Sequence, residues 1–147
     1  MRKSIIADII AFVFILLFTY AAASKLLDFT KFRAQLGLSP LLTAFAGWVA
    51  WLVPMIEIGI SFILFSPRFR LVGFFASFSL MTMFTTYIIV ITRFADFVPC
   101  SCGGVLQNMS WDQHIIFNLF FIIAGLIGII QQCKLYGPPD TLITSFS

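Results

Sequence analysis

The chain has 147 residues, of which 61% are hydrophobic and only 10% are charged. A soluble domain carries about 25% charged residues, so this chain has too few charges to cover a surface that faces water. Nine Lys and Arg residues against six Asp and Glu residues give a net charge of +3, with no basic run, which argues against a nucleic-acid-binding surface. We therefore predict a single membrane domain over residues 1–147.

Four apolar segments are long enough to cross a bilayer. A transmembrane helix needs about 20 predominantly apolar residues, and the backbone groups of a segment in lipid must be satisfied within that segment, so helices are expected. The predicted spans cover residues 5–23, 41–65, 71–91 and 111–130. The sequence therefore predicts an all-α fold, an integral membrane four-helix bundle.

The connection between the first two spans, residues 24–40, has an amphipathic pattern. Apolar side chains such as Leu27 and Phe32 alternate with charged ones such as Lys31. A short segment with one apolar and one charged face is typical of a helix that lies in the membrane interface. We therefore predict a short interfacial helix after the first span.

Basic residues next to the spans predict the orientation. Arg2 and Lys3 precede the first span, and basic residues that flank the first span usually lie in the cytoplasm. This places both termini in the cytoplasm (N-in, C-in) and residues 92–110 on the outer side. Lys25 and Arg93 then lie near the outer surface, where we interpret them as membrane anchors. Stabilisation of a thiolate or of a lipid headgroup is the alternative.

The feature most indicative of chemistry is a pair of cysteines, Cys100 and Cys102, flanked by proline and glycine just before the fourth span. Two thiols separated by one residue can close a small strained ring, and strained disulfides are the labile or catalytic ones. They can also bind a soft metal ion, and two unrelated loop cysteines are the remaining alternative. Cys133 follows the fourth span on the opposite side of the membrane, so we do not expect it to resolve that disulfide.

The fourth span begins with polar residues that could assist the cysteines. Ser110 and Gln113 have the spacing of a capping box, and the positive helix end behind them favours a nearby thiolate. His114, the single histidine of the chain, and Asn118 are four residues apart and share a helix face. His114 is a candidate for moving protons during thiol exchange, and packing against a neighbouring helix is its alternative. Asn118 is a candidate supporting residue.

Glu57 is an acidic residue deep inside the second span. An ionisable residue at such a depth is costly and is a functional candidate by default. We favour a structural role for Glu57, with a hydrogen bond or an ionic partner in the first helix or at Arg68 or Arg70. Its depth along the span predicts no direct contact with the cysteine pair.

Three motifs together resemble the MauE/DoxX family of small four-helix membrane proteins. They are Ala-Ser-Lys-Leu-Leu-Asp-Phe at residues 23–29, Pro-Met-Ile-Glu-Ile-Gly at residues 54–59 and Cys-Ser-Cys-Gly-Gly at residues 100–104. The third motif is similar to the cysteine motif of the MauE-like branch. The resemblance implies a role in the redox maturation of exported proteins, on the periplasmic side of a bacterial inner membrane.

The residues and the resemblance together predict a membrane thiol–disulfide exchange protein in which Cys100 and Cys102 cycle between dithiol and disulfide. The implied partners, besides the lipid bilayer, are a periplasmic thioredoxin-like protein or a small cysteine-containing exported protein. The layout is also similar to that of vitamin K epoxide reductase-like enzymes, and by this analogy quinone is a candidate electron acceptor. The chain departs from that pattern because its cysteines have one residue between them, not two, and its first outer loop has no cysteine.

Two alternative functions follow from the same residues. Cys100, Cys102, Met109 and His114 form a soft ligand set that suits Cu(I), which predicts a copper-handling membrane protein. A non-catalytic membrane subunit or scaffold is the other alternative, with the cysteine pair as a static link.

Overall fold

The computed structural model describes residues 4–96 and 109–137. In this part of the chain there are five α-helices: α1 (Ile5–Leu27), α2 (Phe29–Leu38), α3 (Ala46–Phe65), α4 (Arg70–Phe94) and α5 (Trp111–Tyr136). A 3-10 turn, Thr43–Phe45, leads into α3. All of these helices except α2 are long and apolar enough to cross a membrane. The predicted all-α fold with four spans is confirmed, and the protein is a multi-pass membrane protein.

The ends of the helices differ from the predicted ends of the spans. α1 continues to Leu27 and α5 continues to Tyr136, because a helix needs only its backbone hydrogen bonds and does not end where the side chains become polar. α3 begins at Ala46, later than predicted. Ser39, which precedes Pro40, has an extended backbone and ends α2, as expected of a residue before proline.

The short helix α2 packs against the beginning of α3. Phe32 and Leu36 of α2 are buried together with Ala50 of α3, and the ring centroids of Phe29 and Trp51 are 4.7 Å apart. The predicted amphipathic helix is therefore present, and its apolar face is covered by α3. Its position in the membrane interface stays a prediction.

Phenylalanine rings and glycines fill the interior between the long helices. The ring of Phe14 in α1 lies 5.7 Å from that of Phe18 and 5.4 Å from that of Phe121 in α5, measured between centroids. Gly128 of α5 lies directly against the buried ring of Phe74 in α4. The outward faces carry many large apolar side chains, which is the surface that a lipid environment favours.

Candidate functional site

A buried ion pair joins α1 to α3. The Nζ atom of Lys25 donates to Oε1 of Glu57 at 2.8 Å and to Oε2 at 3.2 Å. The Glu57 side chain is only 1% exposed. Lys25 also donates to the carbonyl oxygen of Ala21 at 3.4 Å and lies 5.9 Å from the ring centroid of Phe32. Both charges are therefore compensated within the bundle, as a buried charge requires.

These contacts decide between the partners predicted for Glu57. A partner in the first helix is confirmed, because α1 extends far enough to include Lys25. Arg70 instead pairs with Asp8 near the beginning of α1. The interpretation of Lys25 as a membrane anchor is wrong. Side chains of a helix lean towards its N-terminus, so a lysine in the last turn of α1 is directed back into the bundle.

Two other predicted residues stay apart from this ion pair. Arg93 is exposed in the last turn of α4, and its role as a membrane anchor or a thiolate partner stays a prediction. Cys133 is a free, exposed cysteine inside α5, not after the helix as the sequence suggested. It lies near the end of α5 that is opposite to its capped beginning. Cys100 and Cys102 lie outside the described residues.

The predicted capping box is present at the beginning of α5. The Ser110 hydroxyl accepts a hydrogen bond from the Gln113 backbone N–H at 3.3 Å, and Oε1 of Gln113 accepts one from the Ser110 backbone N–H at 3.0 Å. The box satisfies two backbone donors at this helix end. The positive end of the α5 dipole therefore lies where the chain arrives from the cysteine segment.

His114 and Asn118 are buried on the same face of α5, with 8% and 3% of their surface exposed. Neither Nδ1 of His114 nor Nδ2 of Asn118 has a hydrogen-bond partner among residues 4–96 and 109–137. A buried polar atom that stays unpaired costs about 1–3 kcal/mol, so a further polar group at this place would be stabilised. The imidazole also stacks on Trp111, with 6.4 Å between the ring centroids and 6° between the planes.

Lys25 connects the ion pair to His114. The charge of its ammonium group acts on the imidazole through space, and no hydrogen bond joins the two side chains among the described residues. The predicted absence of contact between Glu57 and the cysteine pair stays a prediction, because the cysteines lie outside the described residues. We refer to Lys25, Glu57, His114 and Asn118 as the polar cluster. One signal in the sequence pointed to the ion pair, since a lone acid in an apolar span requires a cation.

The predicted ligands can be compared with this geometry. Met109 is half-buried just before α5, and His114 has an unpartnered ring nitrogen, so both are available to a soft metal. In the described ranges no three His, Cys, Asp or Glu side chains are grouped to hold a metal ion. The polar cluster lines neither of two surface grooves that the described residues form. The copper and quinone assignments stay predictions.

Comparison with known proteins gives one family. A family model described as "Methylamine utilisation protein MauE" matches residues 3–131 of the chain. No curated protein and no solved structure matches. The match begins before α1 and ends within α5, so it covers most of the described helices. It confirms the MauE part of the resemblance, while the DoxX part and the branch with the Cys-x-Cys motif stay predictions.

Proposed function

The chain belongs to the MauE family of membrane proteins, and from this premise we propose that it carries out thiol–disulfide exchange that supports the redox maturation of exported proteins. The reacting groups are Cys100 and Cys102, on the periplasmic side of a bacterial inner membrane, with both termini in the cytoplasm. One observation carries the proposal: the cysteine pair precedes a capped helix beginning, and the first turns of that helix bury His114 with an unpartnered ring nitrogen.

The exchange proceeds through a mixed disulfide. A thiolate of the partner protein attacks one sulfur of the Cys100–Cys102 disulfide, which breaks that S–S bond and forms a new one between the two proteins. The second thiolate of the partner then attacks the mixed disulfide and releases both cysteines as a dithiol. The partner dithiol is oxidised, the pair is reduced, and the two protons of the partner thiols end on the pair. The same steps run in reverse when the pair reduces a partner.

The described residues supply the surroundings of this reaction. The positive end of α5 stabilises a thiolate near it. His114 accepts the proton of an incoming thiol and delivers it to the leaving thiolate, a role that suits an imidazole near neutral pH. The charge of Lys25, which is paired with Glu57, acts on that imidazole through space. Asn118 offers a hydrogen bond one turn deeper. The partner is a periplasmic thioredoxin-like protein or a small cysteine-containing exported protein.

The first test is alkylation of intact cells with a membrane-impermeant maleimide, before and after mild reduction. The background is Cys133→Ser, which removes the free cysteine at the other end of α5. We expect Cys100 and Cys102 to be labelled only after reduction, because they form a disulfide on the outer side. Labelling without reduction favours a resting dithiol, and no labelling from outside contradicts the proposed orientation.

The second test identifies the exchange itself. In Cys100→Ser and in Cys102→Ser, one cysteine of the pair is left without its resolving partner, so one of these variants should accumulate a mixed disulfide with the substrate protein. Cys133→Ser should behave like the wild type. Stoichiometric Cu(I) binding that is lost in Cys100→Ala, without any exchange activity, would favour the copper-handling alternative. Unchanged function without the pair would favour a scaffold.

The role of His114 is tested by its substitution. Removing a general acid–base group lowers the rate by about 100-fold or more, so His114→Gln should slow exchange by about that factor. The dependence of the rate on pH in the neutral range should also flatten. Trp111→Phe, which changes only the stacking partner of the imidazole, is the control and should keep the pH profile. An unchanged profile in His114→Gln would assign His114 to packing.

A further inference from the structure

A groove of about 600 Å³ lies between α2 and the beginning of α3. None of its lining residues belongs to the polar cluster, and the exchange reaction does not use it. The groove lies at one end of the candidate span Thr43–Phe65, and the ends of a transmembrane span are where lipid headgroups are found. The lining residues that carry the argument are Thr30, Arg33, Gly37, Thr43, Gly47 and Trp48.

Arg33 is the charged group of this groove. Its guanidinium rests against the beginning of α3, where Gly47 has no side chain: a Cβ there would lie 3.7 Å from Nη2 and 3.9 Å from Cζ. Arg33 is exposed and forms no ion pair with any residue that the structure describes. A planar guanidinium with free N–H groups matches the geometry of a phosphate.

The two threonine hydroxyls of the groove differ in whether they already donate a hydrogen bond within the protein. The Thr43 hydroxyl already donates to the carbonyl oxygen of Ser39 at 2.6 Å. Thr30 is exposed one turn before Arg33 on the same face of α2, and its hydroxyl forms no hydrogen bond within residues 4–96 and 109–137. Thr30 and Arg33 are therefore the donors available to an anionic group.

An apolar surface continues from the groove along α3. Trp48 is 81% exposed at the edge of the groove, and exposed tryptophans are typical of the membrane–water interface. Leu52 and Ile56 follow at helical spacing and are also exposed. A groove with a cationic side chain that opens onto an apolar helix face matches the chemistry of a phospholipid, with the headgroup in the groove and the acyl chains along the helix.

We propose that this groove binds the phosphodiester headgroup of an anionic phospholipid. Arg33 and Thr30 hold the phosphate, and the acyl chains lie along Trp48, Leu52 and Ile56. An anionic lipid is favoured over a zwitterionic one because the two basic residues of α2 outnumber its one acidic residue, the N-cap Asp28. The remaining positive charge attracts anionic lipids at the membrane surface. The proposal is independent of the cysteine chemistry.

The test is native mass spectrometry of the full-length protein in mild detergent, with phosphatidylglycerol or phosphatidylcholine of the same chain length added. We expect tighter retention of phosphatidylglycerol. Arg33→Gln should weaken it about ten-fold or more, because it removes a charge-assisted hydrogen bond to the phosphate as well as a surface charge. Lys31→Gln, which removes the same charge from the same helix outside the groove, is the control and should have a smaller effect.

A second pair of variants tests the groove without changing charge. A Cβ at Gly37 would meet no atom within 4 Å, so Gly37→Leu fills the groove without displacing the protein and should abolish the preference for phosphatidylglycerol. Gly59 also has open space within 4 Å and lies outside the groove, so Gly59→Leu should retain the lipid. Three results would overturn the proposal. The wild type could retain both lipids equally, Lys31→Gln and Arg33→Gln could lose the lipid equally, or Gly37→Leu could leave binding unchanged.

Discussion

The interface between α1 and α3 and the interface between α4 and α5 hold the bundle together in different ways. α1 and α3 are joined by polar groups: the Lys25–Glu57 ion pair, and a hydrogen bond from the Thr19 hydroxyl to the Ser61 hydroxyl at 3.5 Å. α4 and α5 are joined by apolar contact, since Gly128 lies against the buried ring of Phe74. Both kinds of contact occur between helices in lipid. Apolar side chains gain little free energy when they move from the lipid tails into a helix interface, so close packing and polar contacts hold such helices together.

The difference between the interfaces indicates that they contribute differently to stability and to the proposed reaction. Close packing of glycine against a ring depends on shape alone and fixes the distance between two helices. An ion pair depends on charge, and the charge of one of its partners, Lys25, also acts on His114. Stability is thus expected from both interfaces, while an influence on the proposed reaction is expected only from the polar one.

The largest effect is expected from Lys25→Met. It leaves the Glu57 carboxylate buried without its partner, and breaking a buried pair in this way costs about 3–5 kcal/mol. Glu57→Leu should cost less, because the long lysine side chain can extend to the membrane surface. Thermal unfolding in detergent, followed by far-UV circular dichroism, measures both variants.

The double variant Lys25→Met/Glu57→Leu is the control for this prediction. Replacing both charges with apolar groups of similar size is often close to neutral, so most of the lost stability should return. Exchange activity should not return with it if Lys25 acts on His114. A double variant as unstable as Lys25→Met would show that the ion pair is not the cause.

The next largest effect is expected at the apolar interface. In Gly128→Ala the new Cβ would lie 2.7 Å from Cε1 of Phe74, and overpacking of this kind costs about 1–3 kcal/mol. Gly125, one turn earlier on the same helix, offers a contact of 3.5 Å to Phe14, so Gly125→Ala should be tolerated. Thermal unfolding of the two variants separates close packing from helix propensity, and equal losses in both would contradict the close-packing explanation.

The smallest effect is expected from Thr19→Val. The 3.5 Å separation between the two hydroxyls is long for a hydrogen bond, and hydrogen bonds between transmembrane helices average about 0.6 kcal/mol. The unfolding midpoint should therefore change little. A loss comparable to that of Lys25→Met would mean that the polar interface depends on the hydroxyl pair more than on the charges.

The sequence alone determined the class of the protein and most of its elements. Four apolar runs of about 20 residues can satisfy their backbone in lipid only as helices, and the capping box at Ser110 and Gln113 is a local pattern that requires no distant contact. The amphipathic helix α2 could also be predicted. The ends of the helices could not, because the side-chain composition does not mark where backbone hydrogen bonding stops.

The partners of the charged residues follow from the packing of the helices and not from the sequence pattern. Lys25 and Glu57 are 32 positions apart, and the sequence was equally compatible with Lys25 at the membrane surface and with Glu57 beside Arg70. The answer depends on how far α1 continues and on which faces of α1 and α3 meet. Both depend on how the helices pack. The order of hydrophobic and charged residues along the chain does not show which distant residues come into contact.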